Sequence, residues 1–120
     1  MRVAVYARRS TEEHQHTSIA TQRASAELFA AERGWTIAET HVDDGISGSE
    51  FERRPGLAAL LRACRERRVD VVLVRDLDRI GRDTLRVPSI VRDLEEMGVA
   101  VWCYSTRAPV RADDQIGRAH

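Results

Sequence analysis

Ser10 stands two residues after Arg8, at the point where an apolar run gives way to polar sequence, and arginines recur at positions 53, 54, 75, 79 and 82. One serine among arginines suits a particular chemistry. A serine that attacks a phosphodiester must stabilise a pentacoordinate, negatively charged phosphorus and then expel an alkoxide. Guanidinium forks bind phosphate oxygens in pairs and can do the work that metal ions do in many phosphoryl-transfer enzymes. The hydroxyl itself is a weak nucleophile at its free pKa, so nearby positive charge must lower that pKa or a base must take the proton. Arg8 and the arginine cluster supply the charge; Asp44 or Asp78 supplies a proton relay.

Other chemistries lack their residues. The sequence has no G-x-S-x-G elbow, no P-loop, no G-x-G-x-x-G and no H-E-x-x-H. His14 and His16 beside Glu12 and Glu13 read as a solvated loop, and no metal or cofactor is expected. A signalling module with Asp43 and Asp44 as a phosphoacceptor pocket would want a lysine further on, and the chain has none: all 19 basic residues are arginine. A third possibility is a domain that only docks to partner subunits.

The elements that must position these residues follow from periodicity. Residues 2–7 (RVAVYA) read as a buried strand, and residues 9–17 as a loop. Residues 18–33 suit a helix started by Ser18 and stopped by Gly34. Residues 35–42 alternate enough for a second strand, and 43–54 form a glycine-, serine- and acid-rich loop. Pro55 sits where a first-turn proline belongs, opening a helix to about residue 68. Residues 69–74 (VDVVLV) are almost continuously β-branched, as in a strand covered on both faces. A helix over 83–97, closed by Gly98, is kinked by Pro88 or begins later. Residues 99–104 give a fourth strand, followed by irregular sequence. Strands alternating with helices imply an α/β sheet, mostly parallel, whose site lies at the carboxyl ends of its strands. Ser10 with Arg8 follows the first strand, Asp43 and Asp44 the second, and Arg75 to Arg82 the third.

At 120 residues the chain is one domain. No stretch approaches a membrane span, and residues 1–10 lack the apolar core of a signal peptide. Cys64 and Cys103 stand far apart, which fits a reduced cytoplasmic setting with both buried as small hydrophobes. The net charge is zero, yet from Arg53 to Arg92 there are 11 arginines against 5 acids. GC-rich coding accounts for the missing lysines but not for that clustering.

Five motifs, in order, resemble the catalytic domain of the serine site-specific recombinases, the resolvase/invertase family, and the large serine integrases in particular. Tyr6-Ala-Arg8-Arg-Ser10 resembles their Y-x-R-x-S, and Ser18-Ile-Ala-Thr-Gln22 their S-I-x-x-Q. Asp44-Gly-Ile-Ser-Gly48 resembles D-G-x-S-G, Arg54-Pro-Gly the R-P-G that opens the next helix, and Leu77-Asp-Arg79-Ile-Gly-Arg82 the L-D-R-x-x-R signature. Taken singly, Ser10 would be a loop serine and Arg79 and Arg82 two arginines on one face of a helical turn; together the motifs point elsewhere.

The resemblance implies a resolvase-like, mostly parallel sheet of four to five strands with helices on both faces. It implies that Ser10 forms a covalent 5′-phosphoserine link to DNA. Arg8, Arg79 and Arg82 would bind the scissile phosphate, and Arg54 would complete the cluster. Asp78 would orient arginines or relay a proton, with Asp44 in support, while Tyr6 and Gln22 shape the DNA-binding site. Double-stranded DNA and further copies of the chain, as dimer and tetramer in the full-length protein, would be the partners. Arg9 departs from the pattern, which has an apolar residue there, and the glutamine usual a few residues after the serine is shifted or absent. The expected domain is residues 1–110, cut short before the family's long dimerisation helix, so that the fragment alone does not recombine DNA. Residues 111–120 would be an irregular tail. Residues 116–120 (IGRAH) match a translated sequencing-adapter oligonucleotide and are expected to be artefactual.

Overall fold

The computed structural model describes residues 1–9, 18–45 and 54–112. Five strands form one sheet in the order β2-β1-β3-β4-β5, with β1 Arg2–Arg9, β2 Thr36–Asp44, β3 Val71–Val74, β4 Ala100–Cys103 and β5 Ala108–Val110. The first four run parallel, and β5 returns antiparallel to β4. Three α-helices connect them: α1 Ile19–Glu32, α2 Pro55–Arg65 and α3 Arg86–Glu96.

Strand alternation divides the core in two. Val3 and Val5 of β1 and Val71 and Leu73 of β3 pack on one face with Ala26, Phe29 and Ala30 of α1. Ala4, Tyr6, Val72 and Val74 pack on the other with Leu57 and Leu60 of α2 and Val91 and Leu94 of α3. All four residues of β3 are fully buried, as a strand covered on both faces requires. The tryptophans are structural: Phe29, Trp35 and Trp102 meet edge-on or tilted at 5.3 to 6.2 Å, and the Arg33 guanidinium lies over all three rings. Cys64 and Cys103 are buried, and burial pushes each thiol up to about 11.

The element ends explain themselves. Ser18 Oγ accepts from the Thr21 amide at 3.1 Å and caps α1. Gly34 and Gly98 close α1 and α3 with φ of 71° and 79°, backbone that glycine adopts without a Cβ penalty. Pro88 lies in the first turn of α3, where no intrahelical donor is lost, so the helix begins later rather than kinking. Asp83 receives the Arg86 and Leu85 amides at 3.0 and 2.8 Å ahead of it, bonds that hold its carboxyl below the usual range.

Two expectations need correction. Asp43 and Asp44 belong to β2 rather than to the following loop, because β1 continues to Arg9 and pairs with them, Arg8 with Asp43 and Arg9 with Asp44. Residues 108–110 form a short strand where irregular sequence was expected. That strand carries Pro109, which an edge position tolerates. Separately, Arg79 and Arg82 do not share a helical face: the 3-10 turn ends at Arg79, which is buried, while Arg82 lies beyond it and is exposed.

Candidate active site

Among the described residues, the buried polar and charged side chains are Arg8, Gln22, Asp43, Arg54 and Arg79. All five belong to a single hydrogen-bonded network at the carboxyl end of β1. Isolated buried charge is costly, so the concentration of three guanidinium groups in one place requires that each be held by specific partners.

The network starts from a gap in the sheet. The β1–β3 pairing ends at Val5 opposite Leu73, leaving the later backbone groups of β1 without a strand on that side. The Gln22 amide takes the strand's place, accepting from the Arg8 amide at 3.2 Å and donating to the Arg8 carbonyl at 3.0 Å. Arg79 Nη1 donates to the same carbonyl at 2.7 Å. The side chain of Arg8 runs the other way, to the carbonyls of Asp78 and Arg79 at 2.7 and 3.0 Å. Arg8 and the 77–80 segment therefore hold one another.

Arg54 repeats the pattern from the start of α2. It donates to the Ile80 carbonyl and, at 2.5 Å, to the Arg79 carbonyl. It also donates to Tyr6 Oη from Nη2 at 2.7 Å and from Nε at 3.2 Å. Tyr6 in turn donates to Asp43 Oδ2 at 2.7 Å. Burial, working against the pull of Arg54, raises the Tyr6 phenol far above its ordinary pKa, so it stays a neutral donor. Asp43 completes the chain by accepting the Gly56 and Leu57 amides at 2.8 and 2.9 Å. It thereby caps α2, whose own N-cap residue, Arg54, provides no side-chain acceptor.

Of the sequence-identified residues, Tyr6, Arg8, Gln22, Arg54 and Arg79 come together. Asp78 contributes its carbonyl to Arg8, while the residue is exposed. Asp44 is exposed and pairs with Arg9 at 2.9 Å, so the unusual charge at position 9 meets an acid in register on the neighbouring strand. Arg82 is exposed and lines a shallow cleft with Asp78, Asp83 and Pro88. Ser10 and the Gly48 end of its motif lie outside the described residues, as do residues 113–120.

Two residues were not assigned to the arginine site by sequence reasoning, although Asp43 was named beside Asp44 after the second strand. Asp43 was hidden because the second strand was ended at Val42; carried two residues further, its alternation places Asp43 inside and Asp44 outside. Asp76 sits between Arg75, at 2.5 Å, and Arg79 Nε, at 3.5 Å; the signal that could have found it is its place two residues before Asp78 in the same motif. Among the described residues no three His, Cys, Asp or Glu side chains gather as metal ligands would. No helix among them is long and apolar enough to cross a membrane.

A doubly wound α/β sheet with guanidinium groups gathered at its carboxyl edge is a framework suited to an anionic, phosphate-like group. The chain belongs to the resolvase N-terminal domain family, whose profile matches residues 3–120. Among curated relatives it is 38% identical over 101 residues to a resolvase/recombinase of Pseudomonas putida, covering 84% of this chain and 50% of that protein. It is 34% identical over 101 residues to the Tn3 transposon resolvase of Escherichia coli, covering 84% and 49%. The chain thus spans about half the length of the curated relatives it matches. Its fold is similar to the N-terminal catalytic domain of TP901-1 integrase, with a TM-score of 0.82 and 27% identity over 91% of this chain and 81% of that one. It is also similar to the catalytic domain of ISC1926 TnpA, an IS607-like serine recombinase, with a TM-score of 0.71 and 27% identity over 87% and 67%. A resolvase family recombinase from Streptococcus pneumoniae shares the fold, with a TM-score of 0.76 at 22% identity over 96% and 78%.

Proposed function

We propose that this domain cuts and rejoins double-stranded DNA in site-specific recombination, with Ser10 as the nucleophile. The Ser10 hydroxyl gives up its proton as its oxygen bonds to the scissile phosphorus, the bond to the 3′ oxygen breaks, and that oxygen takes up a proton and leaves as the 3′ hydroxyl. The 5′-phosphoserine that results keeps a phosphodiester, so a new 3′ hydroxyl can reverse the step without an external energy source. The observation that carries this reading is the network itself: among the described residues, the buried polar and charged side chains converge on the end of the strand that leads into Ser10.

Among the described residues, three buried guanidinium groups against one buried carboxylate, that of Asp43, suit an anion that gains charge in its transition state. In this reading Arg8, Arg54, Arg79 and Arg82 stabilise that charge, Asp78 orients arginines or relays a proton, and Asp44 acts in support through Arg9. Tyr6 and Gln22 hold the frame. The domain is residues 1–110. Acting on paired DNA strands, it works as a dimer and tetramer in a bacterial cytoplasm, with binding supplied in part by sequence beyond this domain.

The test joins the chain to the remaining half of the P. putida relative and offers a suicide DNA substrate carrying that relative's site. A covalent protein–DNA adduct is expected, abolished by Ser10→Ala. A DNA-bound chimera that forms no adduct with Ser10 intact would sink the proposal.

A further inference from the structure

We infer that Asp43 is a positioning residue for Arg54, acting through the Tyr6 hydroxyl; what Arg54 then does rests on the recombinase reading above. The argument begins with hydrogen-bond direction, which this chain of groups leaves no freedom to reverse. A carboxylate only accepts and a guanidinium only donates, so the phenol between them must give its proton to Asp43 and turn its lone pairs to Arg54. The three residues come from β1, β2 and the start of α2, and each is at most 2% exposed. Asp43 has no slack in the arrangement. Its Oδ1 takes the Gly56 amide and its Oδ2 takes both the Leu57 amide and Tyr6.

A cation at a helix start is disfavoured by the helix dipole, and Arg54 occupies that start. The Asp43 carboxylate offsets both charges at once. The close approach that makes this possible leaves no room for a side chain: a Cβ on Gly56 would lie 2.6 Å from the Val42 carbonyl oxygen. With Arg54 held at Nε and Nη2 by Tyr6 and at Nη1 and Nη2 by the Ile80 and Arg79 carbonyls, its plane is fixed relative to the segment that carries Arg79. Asp43 therefore sets the relative placement of two arginines without touching DNA.

Tyr6→Phe separates this role from capping, because it removes the relay and leaves Asp43 its two helix amides. In the 120-residue chain, the Arg54 Nε–H resonance, assigned by its loss in Arg54→Lys, is expected to exchange with water about tenfold faster in Tyr6→Phe, with the amides of β3 unchanged. Asp43→Asn is expected to do the same, since an amide cannot accept from Tyr6 and both helix N–H groups together. In the chimera, both variants are expected to lower the single-turnover rate of adduct formation roughly ten- to a hundredfold with little change in half-saturating DNA, as misplacement of a catalytic group does. Unchanged Arg54 exchange in Tyr6→Phe overturns the relay whatever the DNA arm shows. Faster exchange with unchanged cleavage overturns its bearing on the reaction. Loss of the adduct in Ser10→Ala tests the recombinase reading separately, and if the wild-type chimera makes no adduct the exchange result alone decides the relay.

Discussion

Asp43 and Asp44 are the same residue type on adjacent positions of one strand, and they do opposite things. Asp43 is 2% exposed and accepts three hydrogen bonds from Tyr6, Gly56 and Leu57. The Asp44 side chain is 48% exposed and faces Arg9 in an open cross-strand pair. Strand alternation alone separates them: one points to the face that α2 covers, the other away from it. Each sits opposite an arginine of β1, Arg8 and Arg9, and those arginines divide the same way, Arg8 buried and Arg9 half-exposed. Acidity and arginine density therefore say little about which groups build a site; the parity of the strand decides.

The largest effect that would test this contrast is on stability. Asp43→Ala strips two helix amides and a phenol of their acceptor and leaves the buried Arg54 charge without its carboxylate. A loss of roughly 3–5 kcal/mol is expected, read by urea unfolding of the chain. Gly56→Ala comes next. Its Cβ would meet the Val42 carbonyl oxygen and carbon at 2.6 and 2.9 Å, both backbone atoms that cannot swing aside. Separation of α2 from β2 is expected to cost about 1–3 kcal/mol and to carry Arg54 out of place. Gly56→Ala with wild-type stability and wild-type Arg54 exchange would mean that the close contact does not hold the helix start.

A pH dependence comes from the opposite end of the sheet. Asp70 accepts from the Arg2 amide at 2.8 Å and from the Arg2 guanidinium at 3.2 and 3.3 Å, joining the first residues of β1 to the approach to β3. The Arg2 side-chain and backbone bonds hold the Asp70 carboxyl below its usual range. Its contribution is therefore complete above the unfolded carboxyl's pKa, about 3.9, and is lost as pH falls through the lower folded value. Asp70→Asn should lower stability modestly at neutral pH, where that contribution is complete, and change little at the acid end, where it is already lost, so that the acid limb of the stability curve flattens. An unaltered acid limb would remove Asp70 from that account.

Much of this was legible in the sequence, and the rest was hidden for local reasons. Continuous apolar runs gave away β1 and β3, Pro55 marked the start of α2, and Ser18 and Gly34 bounded α1. The arginine motifs pointed to Arg8 at the end of β1, Arg54 at the opening of α2 and Arg79 in the turn after β3. Their partners could not be read there, because those partners are mostly carbonyl oxygens of residues 78–80, which every sequence possesses. Gln22 was found as a motif member, but its work as a substitute strand depends on β3 stopping short of Arg8. Asp43 was obscured by a strand end placed too early. β5, three residues with a central proline, carries too little pattern for any periodicity to show.

The smallest expected effect sharpens the comparison most. The Arg9–Asp44 pair is in register, and the Gly45 amide donates to the Arg9 carbonyl at 2.7 Å, so backbone bonds already fix the strands on which both side chains sit. Half-exposed ion pairs of this kind contribute about 0–1 kcal/mol, and salt screens them. Asp44→Asn should therefore shift the unfolding midpoint only slightly at low ionic strength, and the difference should vanish in molar salt, where screening acts over roughly 3 Å. Asp43→Ala, whose deficit is buried and made of hydrogen bonds, should keep its full cost under the same conditions. The salt dependence thus separates the two aspartates more cleanly than either midpoint does. A cost for Asp44→Asn that matched Asp43→Ala and survived molar salt would show that the two neighbours share one role after all.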